Sequence, residues 1–124
     1  MKNPKLPIGA KDLRAKGVGI DVVRVARFGK VSKAFLSRVF TNAEREYCLS
    51  KPCPAQHFAA RFAAKEAVVK ACTGLKKKIL PGNVEILNSA NGAPKARVEG
   101  MPKLRVLLSV SHDGEYAAAV AIRL

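Results

Sequence analysis

Arg61-Phe62-Ala63-Ala64-Lys65-Glu66-Ala67-Val68-Val69-Lys70 reads as an alanine-rich helix into which three cations and one carboxylate have been set. At about 100° per residue, Phe58, Phe62 and Val69 share one stripe, and Glu66 lies about 40° from its edge, beside Ala59, Ala63 and Lys70. An acid at the margin of a core face, ringed by methyl-sized side chains, leaves room for something bulky and charged to approach. The plainer reading of the same spacing is a surface pair between Glu66 and Lys70, worth about 0.3–0.5 kcal/mol. The helix is expected from about Ala55 to Cys72, after Pro52 and Pro54 and with Gly74 as its C-terminal cap.

Upstream of this helix, Val18–Val23 is a β-branched run behind Gly17 and predicts a buried strand. Between Arg24 and Ala43 stand five cations, Arg24, Arg27, Lys30, Lys33 and Arg38, and no acid. Phe28, Val31, Phe35 and Leu36 recur there at helical spacing, which predicts one or two short amphipathic helices around Gly29. Thr41-Asn-Ala-Glu44 has the form of a capping box and should open a helix to about Leu49. Downstream the period changes to two. Val84–Leu87, Ala96–Val98, Leu104–Val110 and Tyr116–Ile122 are strand-like, with Asn91-Gly92 and Asp113-Gly114 as turn signals. The predicted class is therefore α+β: an N-terminal strand and helices, then an antiparallel β-meander, with the long helix packed on the sheet.

A chain of 124 residues suits one domain with a single core. The 23 Lys and Arg against 9 Asp and Glu give a formal charge of +14, which calls for anionic partners and salt-sensitive association. Cys48, Cys53 and Cys72 form no CxxC pair. Cys48, Cys53 and His57 supply at most half a metal site, so mostly buried, reduced thiols in a cytoplasmic protein are expected. No apolar run reaches the ~18–20 residues of a membrane span. Residues 1–16 are basic, lack the apolar core of a secretory signal, and carry Pro4, Pro7 and Gly9. They read as a flexible arm ahead of a domain at 17–124.

Asp21 interrupts the apolar run Val18-Gly-Ile-Asp21-Val-Val. Such a carboxylate costs several kcal/mol if buried and unpaired, so it must sit at a strand end, in an ion pair or on a metal. Facing solvent or Arg24 is the simplest of these outcomes. Asp21 and Glu66, isolated acids on different elements of a cationic chain, also meet the needs of an open Mg²⁺ site. Mg²⁺ takes one or two protein carboxylates and completes its shell with water and substrate phosphate. His112, at a strand end in Ser109-Val-Ser111-His112-Asp113, could bond a nucleotide or phosphate, or simply terminate a hairpin. No Ser-His-Asp arrangement follows from the adjacency of Ser111 and His112.

Five segments in order carry a resemblance: Gly17-Val-Gly-Ile-Asp21-Val-Val; Arg38-Val-Phe-Thr41-x-x-Glu44; Arg61-Phe-Ala-Ala-Lys65-Glu66-Ala-x-x-Lys70; Val84-Glu-Ile-Leu-Asn with Asn91-Gly92-x-Pro94; and Val110-Ser111-His112-x-x-x-Tyr116-Ala. Together they resemble the holo-acyl-carrier-protein synthases, the small single-domain type of 4′-phosphopantetheinyl transferase, from about Gly17 to Leu124. The resemblance implies transfer of the phosphopantetheine arm from coenzyme A (CoA) to a serine of apo acyl carrier protein, with adenosine 3′,5′-bisphosphate as the other product. It implies that Asp21 and Glu66 hold Mg²⁺ at the CoA pyrophosphate and that Lys70 neutralises phosphate charge, these three being the catalytic set. It assigns CoA contacts to Arg61, Lys70, Asn91, Gly92, Ser111 and His112. Arg24, Arg27, Lys30 and Arg38 match the segment that docks the acidic carrier protein. A homotrimer with CoA sites between subunits is implied too. The acceptor of the serine proton stays open among Glu66, a water at the metal and the carrier protein.

Two departures from the family pattern stand out. Arg24 occupies a position where family members often have Glu. Cys72-Thr73-Gly74 replaces the usual Gly-Thr-Gly and appears one residue shorter, so contacts from that loop are not carried over. Against a nucleic-acid-binding module, the rival that +14 suggests, no binding motif is present, and Phe28 and Phe35 are spaced for a core rather than for stacking. Against a scaffold without chemistry stands the intact set Asp21, Glu66, Lys70 and His112.

Overall fold

The computed structural model describes residues 14–124; most of the proposed arm, residues 1–13, lies outside the described residues. Strand β1 (Gly17–Arg24) is followed by a 3-10 turn at Val25–Gly29 and by helices α1 (Lys33–Val39), α2 (Asn42–Leu49) and α3 (Pro54–Ala71). A second 3-10 turn, Pro81–Asn83, leads into β2 (Val84–Asn88), β3 (Pro94–Val98), β4 (Val106–His112) and β5 (Tyr116–Arg123). The α+β class is as expected, but the four later strands do not form one meander. They divide into an antiparallel β2–β3 hairpin and a three-stranded antiparallel sheet ordered β1-β5-β4, with the first strand joined to the last. Pairing reaches Lys16, whose N–H donates to the Arg123 carbonyl at 2.7 Å.

Why α3 lies so close to this sheet is written in small residues. A Cβ on Gly19 would stand 1.9 Å from the Ala67 carbonyl oxygen, and one on Gly17 2.0 Å from that of Ala71. Beside them β5 presents Ala117, Ala119 and Ala121, all buried. Glycine and alanine thus let helix backbone rest almost on strand backbone, and they fix α3 against the face of β1 that carries Asp21.

Burial on α3 is wider than the predicted stripe. Ala59, Ala63, Ala64, Ala67, Val68 and the cation Lys65 are fully enclosed, and Phe58, Phe62 and Arg61 are buried. The helix is central: the sheet covers one side and an aromatic cluster another, with Phe28 5.4 Å from Phe62 and Phe40 5.0 Å from Phe58 between ring centroids. The Thr41–Glu44 box and the Gly74 cap form as expected, and Ser32 adds an N-cap to α1. Ser32 Oγ accepts from Phe35 N at 3.1 Å, and Thr41 and Glu44 form the reciprocal box that starts α2. Gly74 takes a positive φ of 94° just after α3.

Glu44 has a second task. Its Oε1 accepts from Lys65 Nζ at 2.7 Å and its Oε2 from Ile86 N at 2.8 Å, while Lys65 also donates to the Val84 carbonyl. Both side chains are shut off from solvent. One buried ion pair therefore ties α2, α3 and β2 together. At the hairpins only the glycines take positive φ, 86° at Gly92 and 91° at Gly114. Asn91 and Asp113 instead close the turns with side-chain oxygens that accept from Ala93 N, and from Glu115 N and Tyr116 N.

Candidate active site

Asp21 projects from β1 on the same face as Gly19 and Val23, towards α3, with Ala119 as its cross-strand partner. Lys70 meets it there. Its Nζ donates to Asp21 Oδ1 at 3.1 Å and to the Ile20 carbonyl at 2.9 Å. The i,i+4 pair with Glu66 does not form; the ammonium crosses to the strand instead. Arg24, the other partner considered for Asp21, lies over the Tyr116 ring and donates to its hydroxyl at 3.0 Å.

Glu66 sits one turn before Lys70, partly buried. Burial pushes its carboxyl above the usual glutamate range, and the Asp21 charge pushes the same way, opposed by Lys70 and Arg27. Among the described residues Glu66 has no ion pair and no side-chain hydrogen bond. Glu66 thus feels the charges of Asp21, Lys70 and Arg27 where β1, the first 3-10 turn and α3 converge. Arg27 was singled out only for docking, yet its guanidinium lies 5.0 Å from the Phe62 ring centroid at the edge of this group.

Two carboxylates that repel each other, one already holding an ammonium and the other without a cation, form a donor set that a divalent cation would relieve. Among the described residues no cluster of three or more His, Cys, Asp or Glu is placed to cage a metal. The pair fits an open, water-completed Mg²⁺ site rather than a closed structural one.

A second group forms near the start of α3. The rings of His57 and His112 are 6.2 Å apart, Tyr47 stands 5.8 Å from His57, and the Arg61 guanidinium lies 4.1 Å from the Tyr47 centroid. Arg61 is 7% exposed, donates Nη1 to the Ile86 carbonyl at 3.0 Å, and leaves its buried Nε without a partner. Five residues on a helix turn through about 140°, so Arg61 and Glu66 face different directions. His57 and Glu66 are nine residues apart, about 13 Å along the axis. Within one chain, then, His112 and Arg61 are together, and Asp21, Glu66 and Lys70 are together, as two groups.

Ser111 and His112 part company. His112 pairs with Ala117 and faces α3, whereas Ser111 pairs with Ala118 on the sheet's outer face. Asn91 and Gly92 occupy the tip of the β2–β3 hairpin, closed by Gly92 N donating to the Ser89 carbonyl at 2.8 Å. The docking cations come from four local structures: Arg24 from the end of β1, Arg27 from the 3-10 turn, Lys30 from the following loop and Arg38 from the last turn of α1. Lys30 and Arg38 are exposed.

Tyr47 and His57 join this group although the sequence pattern marks His57 only as half a metal site with Cys48 and Cys53, and Tyr47 not at all. The signal was available for His57, which as one of two histidines falls four residues, about one helical turn, before Arg61. Its imidazole is pushed below the ordinary range by burial and by the charges of His112, Lys51 and Arg61. Cys48, buried beside Arg61, has its thiol pushed up to about 11 by burial, and Cys53 is exposed.

This geometry has close relatives. Residues 17–121 match the family model of the 4′-phosphopantetheinyl transferase superfamily. A holo-[acyl-carrier-protein] synthase of Protochlamydia amoebophila is 45% identical over 118 residues, spanning 86% of this chain and 95% of the relative. The crystal structure of such a synthase from Bacillus anthracis, in complex with CoA (3′,5′-ADP), superposes with a TM-score of 0.76 at 31% identity, covering 88% of this chain and 96% of that one. One from Helicobacter pylori, in complex with coenzyme A, gives a TM-score of 0.73 at 30% identity, over 86% and 99% of the two chains. Agreement in sequence and in fold over nearly the whole described length leaves one assignment, and the chain belongs to the 4′-phosphopantetheinyl transferase superfamily.

Proposed function

We propose that this chain transfers the 4′-phosphopantetheine arm of coenzyme A to a serine hydroxyl of an apo acyl carrier protein and releases adenosine 3′,5′-bisphosphate. The observation that carries the reading is the convergence of Asp21, Glu66, Lys70 and Arg27 where β1 crosses α3. In the reaction the serine oxygen attacks the phosphorus that bears pantetheine. The bond to the bridging pyrophosphate oxygen breaks, and negative charge grows on the leaving nucleotide phosphate.

Phosphoryl transfer needs positioning and charge neutralisation above all. Asp21 and Glu66 are the residues that would hold Mg²⁺, which when bound withdraws charge from the pyrophosphate. Lys70 uses two of its three ammonium donors on β1 and keeps the third, half-exposed, for a phosphate oxygen. Arg27, on the first 3-10 turn, adds a second cation. Arg61, His112, Ser111 and the Asn91-Gly92 turn form the CoA-binding remainder. A homotrimer accounts for their separation, because a neighbouring subunit can supply one group to another chain's cleft. The outward side chains Val18, Ile20 and Val22 of β1, each more than 60% exposed, continue across the sheet to Val120 and Leu107 and offer the apolar face that such an assembly would cover. Arg24, Arg27, Lys30 and Arg38 receive the acidic carrier protein, and three free cysteines suit a cytoplasmic enzyme.

Incubation with CoA, Mg²⁺ and an apo carrier protein should give a carrier heavier by one phosphopantetheine arm on mass spectrometry. No mass gain across several carriers would sink the reading. Arg38→Glu should raise KM for the carrier protein far more than KM for CoA, and equal effects on both would remove Arg38 from the docking surface.

A further inference from the structure

One cleft among the described residues belongs to neither group of site residues. It holds about 590 Å³ and is lined by Arg14, Lys16, Lys103, Arg105 and Arg123, with Met101, Pro102 and Leu104 among the apolar contacts. Five cations converge there, and no acidic side chain is among the lining residues.

Its walls are fixed by backbone. The turn after Gly100, which takes a positive φ of 75°, is held by Met101 N to the Val98 carbonyl and Leu104 N to that of Met101, both 3.1 Å. Leu124 N donates to the Arg105 carbonyl at 3.0 Å. Arg123 is clamped by Nε to the Ala71 carbonyl at 2.9 Å and Nη2 to that of Lys16 at 3.1 Å, which commits two of its five N–H donors. Among the described residues none of the five cations makes an ion pair. Like charges gathered in one concavity repel, and a multivalent anion removes that cost.

We propose that this cleft is a binding site for a small organic polyphosphate, separate from the CoA site. Three guanidinium groups favour phosphate, whose oxygens they can grip in pairs. The volume falls in the ~300–1,000 Å³ range of small-molecule sites, and the apolar lining suits an organic body beside the phosphates. Nucleic acid fits less well, since the cations close around a pocket instead of following a strand along an open groove with aromatic platforms. The site is independent of the transferase reading, because none of its lining residues belongs to the proposed catalytic, CoA or carrier-docking sets.

The test is calorimetric titration of the whole chain, saturated with CoA, with inorganic triphosphate and with a nucleoside triphosphate. One site per chain should persist under CoA, with the nucleoside form tighter because of the apolar lining. Lys103→Glu/Arg105→Glu, a change at two exposed positions, should weaken that site by about tenfold or more and leave transferase turnover unchanged. Lys103→Ala/Arg105→Ala serves if the reversal perturbs folding. Loss of all triphosphate binding under CoA, unaltered affinity in both variants, or displacement of triphosphate by a short single-stranded RNA that binds more tightly would each overturn the proposal.

Discussion

Lys70 bonds Asp21 at 3.1 Å across the gap between α3 and β1, although Glu66 is the acid one turn away on its own helix. The pair is open to water, with the Lys70 side chain 52% exposed, so screening limits its contribution to folding. Lys70→Ala should therefore shift unfolding free energy by only about 0–1 kcal/mol. Transfer should fall by about 10²–10³-fold, as happens when a preorganised charge donor is lost. Denaturant unfolding beside steady-state kinetics separates the two effects. Normal turnover with a large stability loss would make Lys70 a structural strut.

Glu66 sets the pH behaviour of the site. Its carboxyl lies above the ordinary value of 4.5 because burial and Asp21 both disfavour ionisation. With a folded-state pKa raised over that of the unfolded chain, ionised Glu66 works against folding. Its favourable contribution is complete below the unfolded value and is lost as pH rises through the folded one. A bound cation needs the ionised form and reverses the balance. Mg²⁺ should raise the melting temperature at about pH 7 and lose that effect in acid, as the raised carboxyl takes up its proton. Glu66→Gln should abolish the Mg²⁺-induced shift. A shift of equal size at neutral and acid pH, or one that survives in Glu66→Gln, would exclude Glu66 as a ligand.

The Asp21–Lys70 contact depends on how closely helix and strand approach. Gly19→Ala places a methyl 1.9 Å from the Ala67 carbonyl oxygen and 2.8 Å from both Ala71 N and Lys70 Cβ. Backbone cannot yield there without moving α3. The substitution should cost about 1–3 kcal/mol or more and reduce turnover, since the elements that carry Asp21 and Glu66 both shift. Gly29, where an added Cβ meets nothing within 4 Å, is the control. Gly29→Ala should leave stability within about 1 kcal/mol of the parent. Similar stabilities for the two variants would refute the contact argument.

Local signals in this chain were easy to read and long-range ones were not. Periodicity marked α3, and the Thr41–Glu44 box marked the start of α2, because both depend on residues a few positions apart. That Glu44 also neutralises Lys65 inside the core could not be read from spacing, since the partners lie 21 residues apart on different helices. The division of the later strands into two sheets was hidden for a similar reason. β5 pairs with β1, and that choice is made by a glycine and alanine face complementary to α3. For the site, Asp21 and Glu66 stood out as rare acids in apolar settings. Tyr47 carried no signal beyond an aromatic residue on a helix, and His57 drew notice only beside Cys48 and Cys53, because the partners that gather around it come from distant positions.

The outer face of the β1-β5-β4 sheet gives the last prediction. Ile20 is 63% exposed between Val18 at 66% and Val22 at 61%, and its cross-strand neighbour Val120 is also exposed. A strand that alternates apolar residues on both faces has a second surface to bury. If the proposed homotrimer forms through that surface, Ile20→Glu should convert the assembly to monomer on light scattering. The charge points away from α3, and the monomer should remain folded by circular dichroism. Because the Arg61–His112 group and the Asp21–Glu66 group stand apart along α3 in one chain, the dissociated protein should lose turnover and CoA affinity together. A folded Ile20→Glu monomer with full activity would show that each chain carries a complete site.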